Sequence, residues 1–553
     1  MAPAGSEIMA KSDKVVAVHW FRQDLRLHDN PALCAALDGA DQFYPVFIFD
    51  GKVASSENSK FHRMRFLHES LECLDAQFQS FGGRLYTFQG GTTRTLENIC
   101  EEWGVTRLTY QEEPEAIWKE RDDNVKHLCE KLGVERIAKT GHTLWNPHDI
   151  IECNGGTPPL TYDIFTHVTK LMGLPNKPLE IPDFTNRLVV AQDFESKFKL
   201  PEYGSLGFRE EAKAPDNRFN KWKGGEDEAL KLMHLRLKVE EVAFSSGYIL
   251  PNQYLPELCA PPRSLSAHLK FGCLSVKRFY WEIQQAYVKV VGRESNGVEL
   301  GVVAQLIWRE FFYTMSAQNL KYGQIEGNRI CLPIPWYTNA EFEERVEMGR
   351  TGYPFVDAIM NQLRLEGWIH HVGRHMVASY LTRGDLWLSW EVGVKIFEKY
   401  LLDYDWSICA GNWMWVSSSA FEKALDCPKC FDPVKYGQRM DPNGDYVRRY
   451  VPALKKYPLK YLFQPWLAPA KVQQDAGCIV GKDYPARMND HKVSARECNS
   501  HMDQIRKSMV DQLRQHCAPS SDKETRQFVW LPDHMASGTK CSGDDLCDGI
   551  AGL

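Results

Sequence analysis

Apolar residues follow two rhythms along the chain, and the change from one to the other divides it. Up to about residue 140, short β-rich apolar runs alternate with helix-like stretches. Val15-Val16-Ala17-Val18-His19-Trp20-Phe21 and Phe43-Tyr44-Pro45-Val46-Phe47-Ile48-Phe49 read as buried strands, and 85–88, 107–110 and 134–138 continue the series. Helical stretches fall between them at 60–81, 92–103 and 115–132. Strands alternating with helices are joined by right-handed crossovers, which give a parallel sheet covered on both faces. The pattern predicts an α/β, Rossmann-like N-terminal domain over 14–140.

From 141 to 225 the chain turns to Pro, Gly, Asn and Lys, with Gly155-Gly156-Thr157-Pro158-Pro159 at its most irregular point. This predicts a long connector, poor in regular structure and ordered against both of its neighbours. Helical periodicity then dominates 226–515, an all-α domain. Within 226–245 the apolar positions 229, 230, 232, 233, 235, 237, 239 and 242 form a wide stripe for a buried helix face, and 301–320, 354–366 and 386–402 look similar. A polar, Gly/Ser-rich tail, 516–553, is broken only by Gln527-Phe528-Val529-Trp530-Leu531-Pro532.

Composition adds exclusions. The 553 residues suffice for two or more domains; 43% hydrophobic and 25% charged residues are ordinary for a globular protein. No apolar run approaches the roughly 20 residues that span a bilayer, and 1–14 lacks the apolar core of a secretory signal. The 16 Cys are scattered singly, which fits a reducing compartment; Cys427 and Cys430 have no second pair or His at zinc spacing, so no metal is expected. A net charge of -6 gives no global attraction to nucleic acid. The turn after the first strand, Arg22-Gln23-Asp24-Leu25-Arg26-Leu27-His28-Asp29-Asn30-Pro31, lacks the glycines that admit a pyrophosphate, so NAD is not expected there.

Candidate chemistry concentrates in the helical part. Asp403-Tyr404-Asp405-Trp406-Ser407-Ile408-Cys409-Ala410-Gly411-Asn412-Trp413-Met414-Trp415 mixes carboxylates, a thiol, an amide and indoles too densely for ordinary core building. A polar ligand with an aromatic surround would explain it, as would a loop followed by a Trp-rich core helix. Ser264 and Ser266 stand where a helix starts, as caps or as an anion site. Gln305, Trp308 and Arg309 share one helix face and suit a ligand with a ring and a phosphate; a solvated face is the plainer alternative. His371 and His375 lie four apart, without the Glu of a zinc protease. Arg374 is a candidate partner for Asp403 or Asp405, since a buried Asp needs a cation or several N–H donors. Trp387 and Trp390, at i and i+3, would sit on adjoining sides of one helix. With Trp336 and Trp413 they could conduct electrons beside an excited chromophore, or simply fill a core.

Together these motifs resemble the photolyase/cryptochrome family over nearly the whole chain. Trp20-Phe21-Arg22-x-Asp24-Leu25-Arg26-Leu27-His28-Asp29-Asn30-Pro31 resembles its N-terminal signature. Trp308-Arg309-Glu310-Phe311-Phe312, Gly352-Tyr353-Pro354, Glu366-Gly367-Trp368-Ile369-His370-His371 and Asp403-x-Asp405-Trp406 resemble its flavin-domain signatures. The resemblance implies an antenna-type α/β domain and an all-helical FAD-binding domain. It implies that Arg236, Ser264, Ser266, Gln305 and Arg309, with Trp308 on the same face, serve the diphosphate and adenine side of FAD. His371, Arg374, Asp403, Asp405 and Asn412 would surround the ring and ribityl parts. Trp413, Trp390 and Trp336 match the electron-transfer triad, and Trp387 the fourth member of animal forms.

Inside the family, Cys409 holds the place opposite flavin N5 that is Asn in photolyases and Cys in insect-type, light-responsive cryptochromes. A thiol, with its pKa near 8.5 and higher when buried, is a poor proton source. The negative charge of photoreduction would then persist and could release the tail, in which Phe528 and Trp530 resemble the insect-type segment lying in the lesion groove. Val529, where an aromatic is usual, and the extension 533–553 depart from that pattern. The resemblance thus implies a non-enzymatic blue-light receptor for circadian input. It also implies light-dependent partners among clock or ubiquitin-ligase proteins, residence in cytoplasm and nucleus, and compatibility with a homodimer. DNA and membranes are not expected partners. His375 beside His371 keeps a six-four photolyase as the alternative, and a light-independent clock repressor is a third reading.

Overall fold

The computed structural model describes residues 14–51, 60–208, 222–246, 257–259, 263–293, 301–421 and 431–516. Cys427, Cys430, Phe528, Trp530 and the rest of the predicted tail from 517 lie outside them.

Five strands form one parallel sheet: β1 (Val16–Phe21), β2 (Gln42–Phe49), β3 (Tyr86–Gln89), β4 (Arg107–Glu112) and β5 (Glu135–Thr140). The order is β3-β2-β1-β4-β5, so the winding reverses at β1. Side-chain alternation splits β1 between the two faces. Val16, Val18 and Trp20 join a core roofed by the helices Thr92–Trp103 and Lys119–Leu132. Ala17 and Phe21 face the other way, toward Pro31–Leu37 and Phe61–Ser80, in a core that continues into the helical domain. The predicted helix over 115–132 is broken at its start: Ala116–Trp118 form a single 3-10 turn before the α-helix.

The glycine-free turn after β1 is the seam between the domains. Leu25 N–H donates to Phe271 O at 3.2 Å and Arg26 Nη1 to Gly272 O at 2.9 Å. The ring of His28 contacts Glu226, and Ser275 Oγ donates to Asp29. All of these side chains are buried, which charged groups tolerate only when paired. Gly272 has φ +68°, and a Cβ there would lie 2.0 Å from Gln23 O, so no other residue could let the turn approach. A second clasp comes from Arg63 on the Phe61–Ser80 helix, which donates to Leu401 O and lies over the Tyr404 ring at 5.3 Å. These contacts fix the chain just before Asp403.

Three expectations need correction. Among its described residues the connector contains Pro147–Cys153 and Tyr162–Met172, each started by a side-chain cap, from Asn146 and Thr161, and a single helical turn at Phe194–Lys197. The wide stripe on Glu226–Ser245 is narrower than its apolar residues suggest, since Leu235 and Val242 are exposed while Glu226 and Glu240 are buried. Trp387 is not on the helix with Trp390. That helix begins at Trp390, and Trp387 has φ +52° in the turn after a π-helical segment, Tyr380–Gly384. Its N–H donates to Thr382 O and its indole N–H to Pro335 O, bonds that hold a left-handed conformation a bulky residue otherwise avoids.

Candidate functional site

Asp405 starts the Trp406–Val416 helix by accepting Ile408 N–H at 2.9 Å, so the acidic-aromatic stretch is a loop followed by a capped helix. Cys409 and Trp413 are i and i+4 on that helix and project from one side. Glycine clears both sides of it. A Cβ at Gly411 would lie 2.3 Å from the Phe312 ring, and one at Gly393 would lie 2.0 Å from the Trp413 ring. The aromatics therefore seat directly on backbone, a role that the sequence reading missed although mid-helix glycines were its visible sign.

Asp403 is the polar centre. Its Oδ2 accepts Ser266 Oγ at 2.6 Å and Arg374 Nη2 at 2.8 Å. Ser264 Oγ in turn donates to Ser266 Oγ at 3.0 Å, just before the short helix Ser266–Lys270, whose N-cap residue Leu265 offers no side-chain cap. Arg374 thus selects Asp403 over Asp405. The other oxygen, Asp403 Oδ1, is buried with no donor among the described residues. Such an acceptor is costly unless a bound group supplies the missing N–H or O–H. Asn412 points the same way chemically: its Nδ2 donates to Ile408 O, leaving the amide oxygen as acceptor. Arg236 is part-exposed and bonded to the buried Glu240, and Gln305 is half-buried on Val302–Ser316.

Titration is set by burial. Desolvation holds the Cys409 thiol far above its usual range, beyond what nearby Arg374 offsets. It also lowers His371 well below the usual imidazole range, with His370 and His375 adding to the effect, and it brings His370 and His375 down to about 4. The His371 and His375 rings stand edge to face, 6.4 Å between centroids. Both are neutral near pH 7. His62 and His268, buried elsewhere, are likewise lowered to about 4. Between about pH 6.5 and about 4 the unfolded chain therefore binds more protons than the native one, and stability falls as pH falls, by up to about 1.4 kcal/mol per pH unit for each such His. Two buried carboxyls that burial raises to about 7, Glu115 and Glu310, act in the opposite sense over this range and offset part of the effect. Urea unfolding from pH 7 to 5 should show the wild-type midpoint dropping more than that of His62→Gln; equal slopes would contradict neutral burial of that ring.

Asp405 and Arg309 do not sit with Asp403. Asp405 Oδ2 accepts the Tyr313 hydroxyl and lies 3.5 Å from Lys270 Nζ, which approaches Glu115 of the α/β domain at 3.9 Å. His142 contacts the Tyr313 hydroxyl at 2.8 Å, and Arg309 lies over that ring at 4.6 Å while donating to Glu310 at 3.0 Å. This is a buried ionic seam at the domain boundary, where desolvation raises Glu115 and Glu310 to about 7. Trp308 leaves its neighbour altogether, stacking between Tyr162 at 4.0 Å and Trp415 at 5.0 Å. Gln305, Trp308 and Arg309 share a helix turn but serve different surroundings. The connector's Tyr162 and the seam's Tyr313, Lys270 and His142 are residues that sequence reasoning did not find.

The remaining indoles are buried, Trp336 only partly. Trp413 packs on Gly393, one turn beyond the fully buried Trp390, and Trp336 meets Trp387 at 4.8 Å between ring centroids. The indole N–H groups of Trp413 and Trp336 are buried without an acceptor among the described residues. No three His, Cys, Asp or Glu among those residues come together as a metal cage, and no helix of theirs is long and apolar enough to cross a membrane.

Comparison with known proteins follows the same division. Residues 302–504 match the FAD binding domain of DNA photolyase, and residues 17–183 match the DNA photolyase family. Cryptochrome-1 of Aedes aegypti is 46% identical over 537 residues, 94% of this chain and 98% of that protein. Cryptochrome-1 of Drosophila melanogaster is 43% identical over 93% of this chain and 98% of its own. The solved bacterial class III photolyase from Agrobacterium tumefaciens superposes with a TM-score of 0.74 at 26% identity, covering 91% of this chain and all of that one. The C-terminal part is accordingly an FAD-binding domain, and the unmet acceptor at Asp403 Oδ1 with the cationic and hydroxyl groups around it suits that cofactor.

Proposed function

The chain belongs to the photolyase/cryptochrome family, and on that premise we propose that it is a blue-light receptor rather than a repair enzyme. One observation supports the reading: Trp413 packs on Gly393, one turn from the buried Trp390, and Trp336 meets Trp387 at 4.8 Å, four indoles that we read as a single electron route. When bound, FAD supplies the light absorption and the electron acceptor. Asp403, Ser264, Ser266, Arg374 and Asn412 hold and orient it, with Arg236 and Gln305 toward its phosphates.

Trp413 gives up an electron, and the positive charge passes outward through Trp390 and Trp336 to Trp387. With its indole N–H unpartnered among the described residues, Trp413 has no base there to take a proton, so the charge moves on instead. Cys409 cannot supply a proton either, its thiol being held far above the usual range by burial. Reduction of a bound flavin would add a charge absent from the dark state, with Cys409 unable to neutralise it, and only such a difference can shift a conformational equilibrium. The tail around Phe528 and Trp530 is the element we assign to that shift. Its release would expose a surface for clock or ubiquitin-ligase partners in cytoplasm and nucleus.

Repair of six-four lesions is the second reading, favoured by the close His371–His375 pair. A general acid must carry a proton at working pH, and His375 brought down to about 4 does not. A light-independent clock repressor would act equally in darkness. The deciding experiment takes absorption spectra of the purified holoprotein before and after blue light, assays lesion repair, and compares partner capture by the full chain with a form truncated before Arg526. A receptor should photoreduce its flavin, leave lesions intact and bind partners in darkness only when truncated. Light-dependent repair, or capture indifferent to both light and truncation, would overturn the proposal.

A further inference from the structure

Arg63 stands on the Phe61–Ser80 helix of the α/β domain and reaches across to the helical domain. Its side chain is buried, at 5% exposed. Nε and Nη2 donate to Leu401 O at 3.0 and 2.8 Å, Nη2 donates also to Glu398 O, and the guanidinium lies over the Tyr404 ring at 5.3 Å. All of these acceptors are neutral. Among the described residues no carboxylate pairs with Arg63, whereas the similarly buried Arg22 and Arg309 hold Asp122 at 2.6 Å and Glu310 at 3.0 Å. Burial brings the Arg63 pKa down to about 10, with Tyr404, Glu398, Asp403 and Cys409 acting against it, so the group is still a cation at neutral pH. Glu398 and Leu401 close the Trp390–Tyr400 helix, and a helix C-terminus favours a cation. That gain is modest beside the cost of desolvating an unpaired charge, so capping alone leaves the cation unexplained.

We propose that Arg63 is a fixed counter-charge for the reduced flavin, so that the α/β domain sets the potential of the cofactor held beside Asp403 and Cys409. This rests on the pocket proposed above and on Cys409 withholding a proton. In darkness Asp403 is already answered by Arg374 at 2.8 Å, which leaves the charge of Arg63 over. One-electron reduction brings one electron and no proton to the flavin; no bond forms or breaks, and the net change is one negative charge. The electron comes from Trp413 under light, or from an added chemical reductant in darkness. Arg63 already stands in place, so its attraction needs no rearrangement when the charge arrives. Tyr404 directly follows Asp403, which keeps the guanidinium within roughly 12 Å of that carboxylate. At an effective dielectric of about 20, a unit charge at that range shifts an equilibrium about tenfold.

Potentiometric titration of the full-length holoprotein in darkness, with redox dyes and flavin absorbance, tests this without using the tryptophan route. Arg63→Gln keeps an N–H for Leu401 O and removes the charge. At fixed potential it should move the ratio of oxidised to one-electron-reduced flavin about tenfold toward oxidised, which is about 59 mV for one electron. Arg63→Lys, which keeps the charge, should stay within about threefold of the wild type. Glu398→Gln removes a negative neighbour of both Arg63 and Cys409 and should move the ratio the other way, toward reduced. That variant decides the matter by itself should Arg63→Gln fail to fold, since Glu398 is only half-buried and its side chain can be neutralised without opening the core. A ratio in Arg63→Gln equal to the wild type's, equal shifts in Arg63→Gln and Arg63→Lys, or an unmoved ratio in Glu398→Gln would overturn this proposal alone. A wild-type ratio that changes about tenfold per pH unit would show a proton entering with the electron, and would overturn both the counter-charge and the reading of Cys409.

Discussion

Trp413→Phe is expected to slow flavin photoreduction without added reductant by at least about tenfold, while leaving the dark spectrum unchanged. The floor is set by redox chemistry: a phenyl ring is harder to oxidise than an indole by far more than the roughly 1.4 kcal/mol that costs a factor of ten in rate. Packing argues that the variant still folds. Trp413 is 2% exposed and rests its ring on the backbone at Gly393, with Phe397 edge-on at 5.0 Å. A phenyl ring keeps the apolar contact and gives up only the outer part of the indole. Stopped illumination followed by absorbance gives the rate. Kinetics equal to the wild type would eliminate the tryptophan route, and with it the charge that reaches Trp387.

The fold was largely readable because its periodicities are local. Strand runs and helix windows lie within a few residues of where the structure has them, and 92–103, 226–245 and 354–366 coincide with helices to the residue. The connector misled because two capped helices hide among its prolines and glycines, the first held by burial of Ile150 and Ile151 and the second by packing of Phe165 and Tyr162 against Phe311 and Trp308. Trp387 misled for a related reason. Spacing of three from Trp390 implies a shared helix only if the backbone stays helical, and here the chain turns through a positive φ that nothing in the residue type announces.

At the candidate site, composition drew attention to one stretch but could not apportion its carboxylates. Asp403 and Asp405 are two residues apart and chemically identical. What separates them is that Ser266 and Arg374 converge on one, while Tyr313 and Lys270 converge on the other. Those partners come from distant parts of the sequence, so only the folded chain distinguishes the surroundings of the two carboxylates. The signature around Arg26 shows the same limit. Its residues stood out in the sequence, yet their work as a clamp depends on Phe271 and Gly272 about 250 positions away.

That division gives the second large effect. Asp403→Ala should lose bound FAD during purification, with affinity lowered by up to about a hundredfold, whereas the fold should persist. Leaving a buried donor of the cofactor without its acceptor costs about 1–3 kcal/mol, and about 2.8 kcal/mol is a hundredfold in affinity. The fold is protected because Arg374 is 27% exposed and can turn its guanidinium to water, and because Ser266 can fall back on Ser264 at 3.0 Å. The cofactor has no such recourse, since it loses both the Oδ1 acceptor and the carboxylate that keeps Arg374 in place. Asp403→Asn, which keeps the shape and one acceptor but not the charge, should retain part of the flavin and fall between. The ratio of flavin to protein absorbance after gel filtration reads the loss, and far-ultraviolet circular dichroism checks the fold. Full occupancy in Asp403→Ala would mean that the unmet Oδ1 acceptor is not what the flavin satisfies, and Asp405 would then be the carboxylate to test.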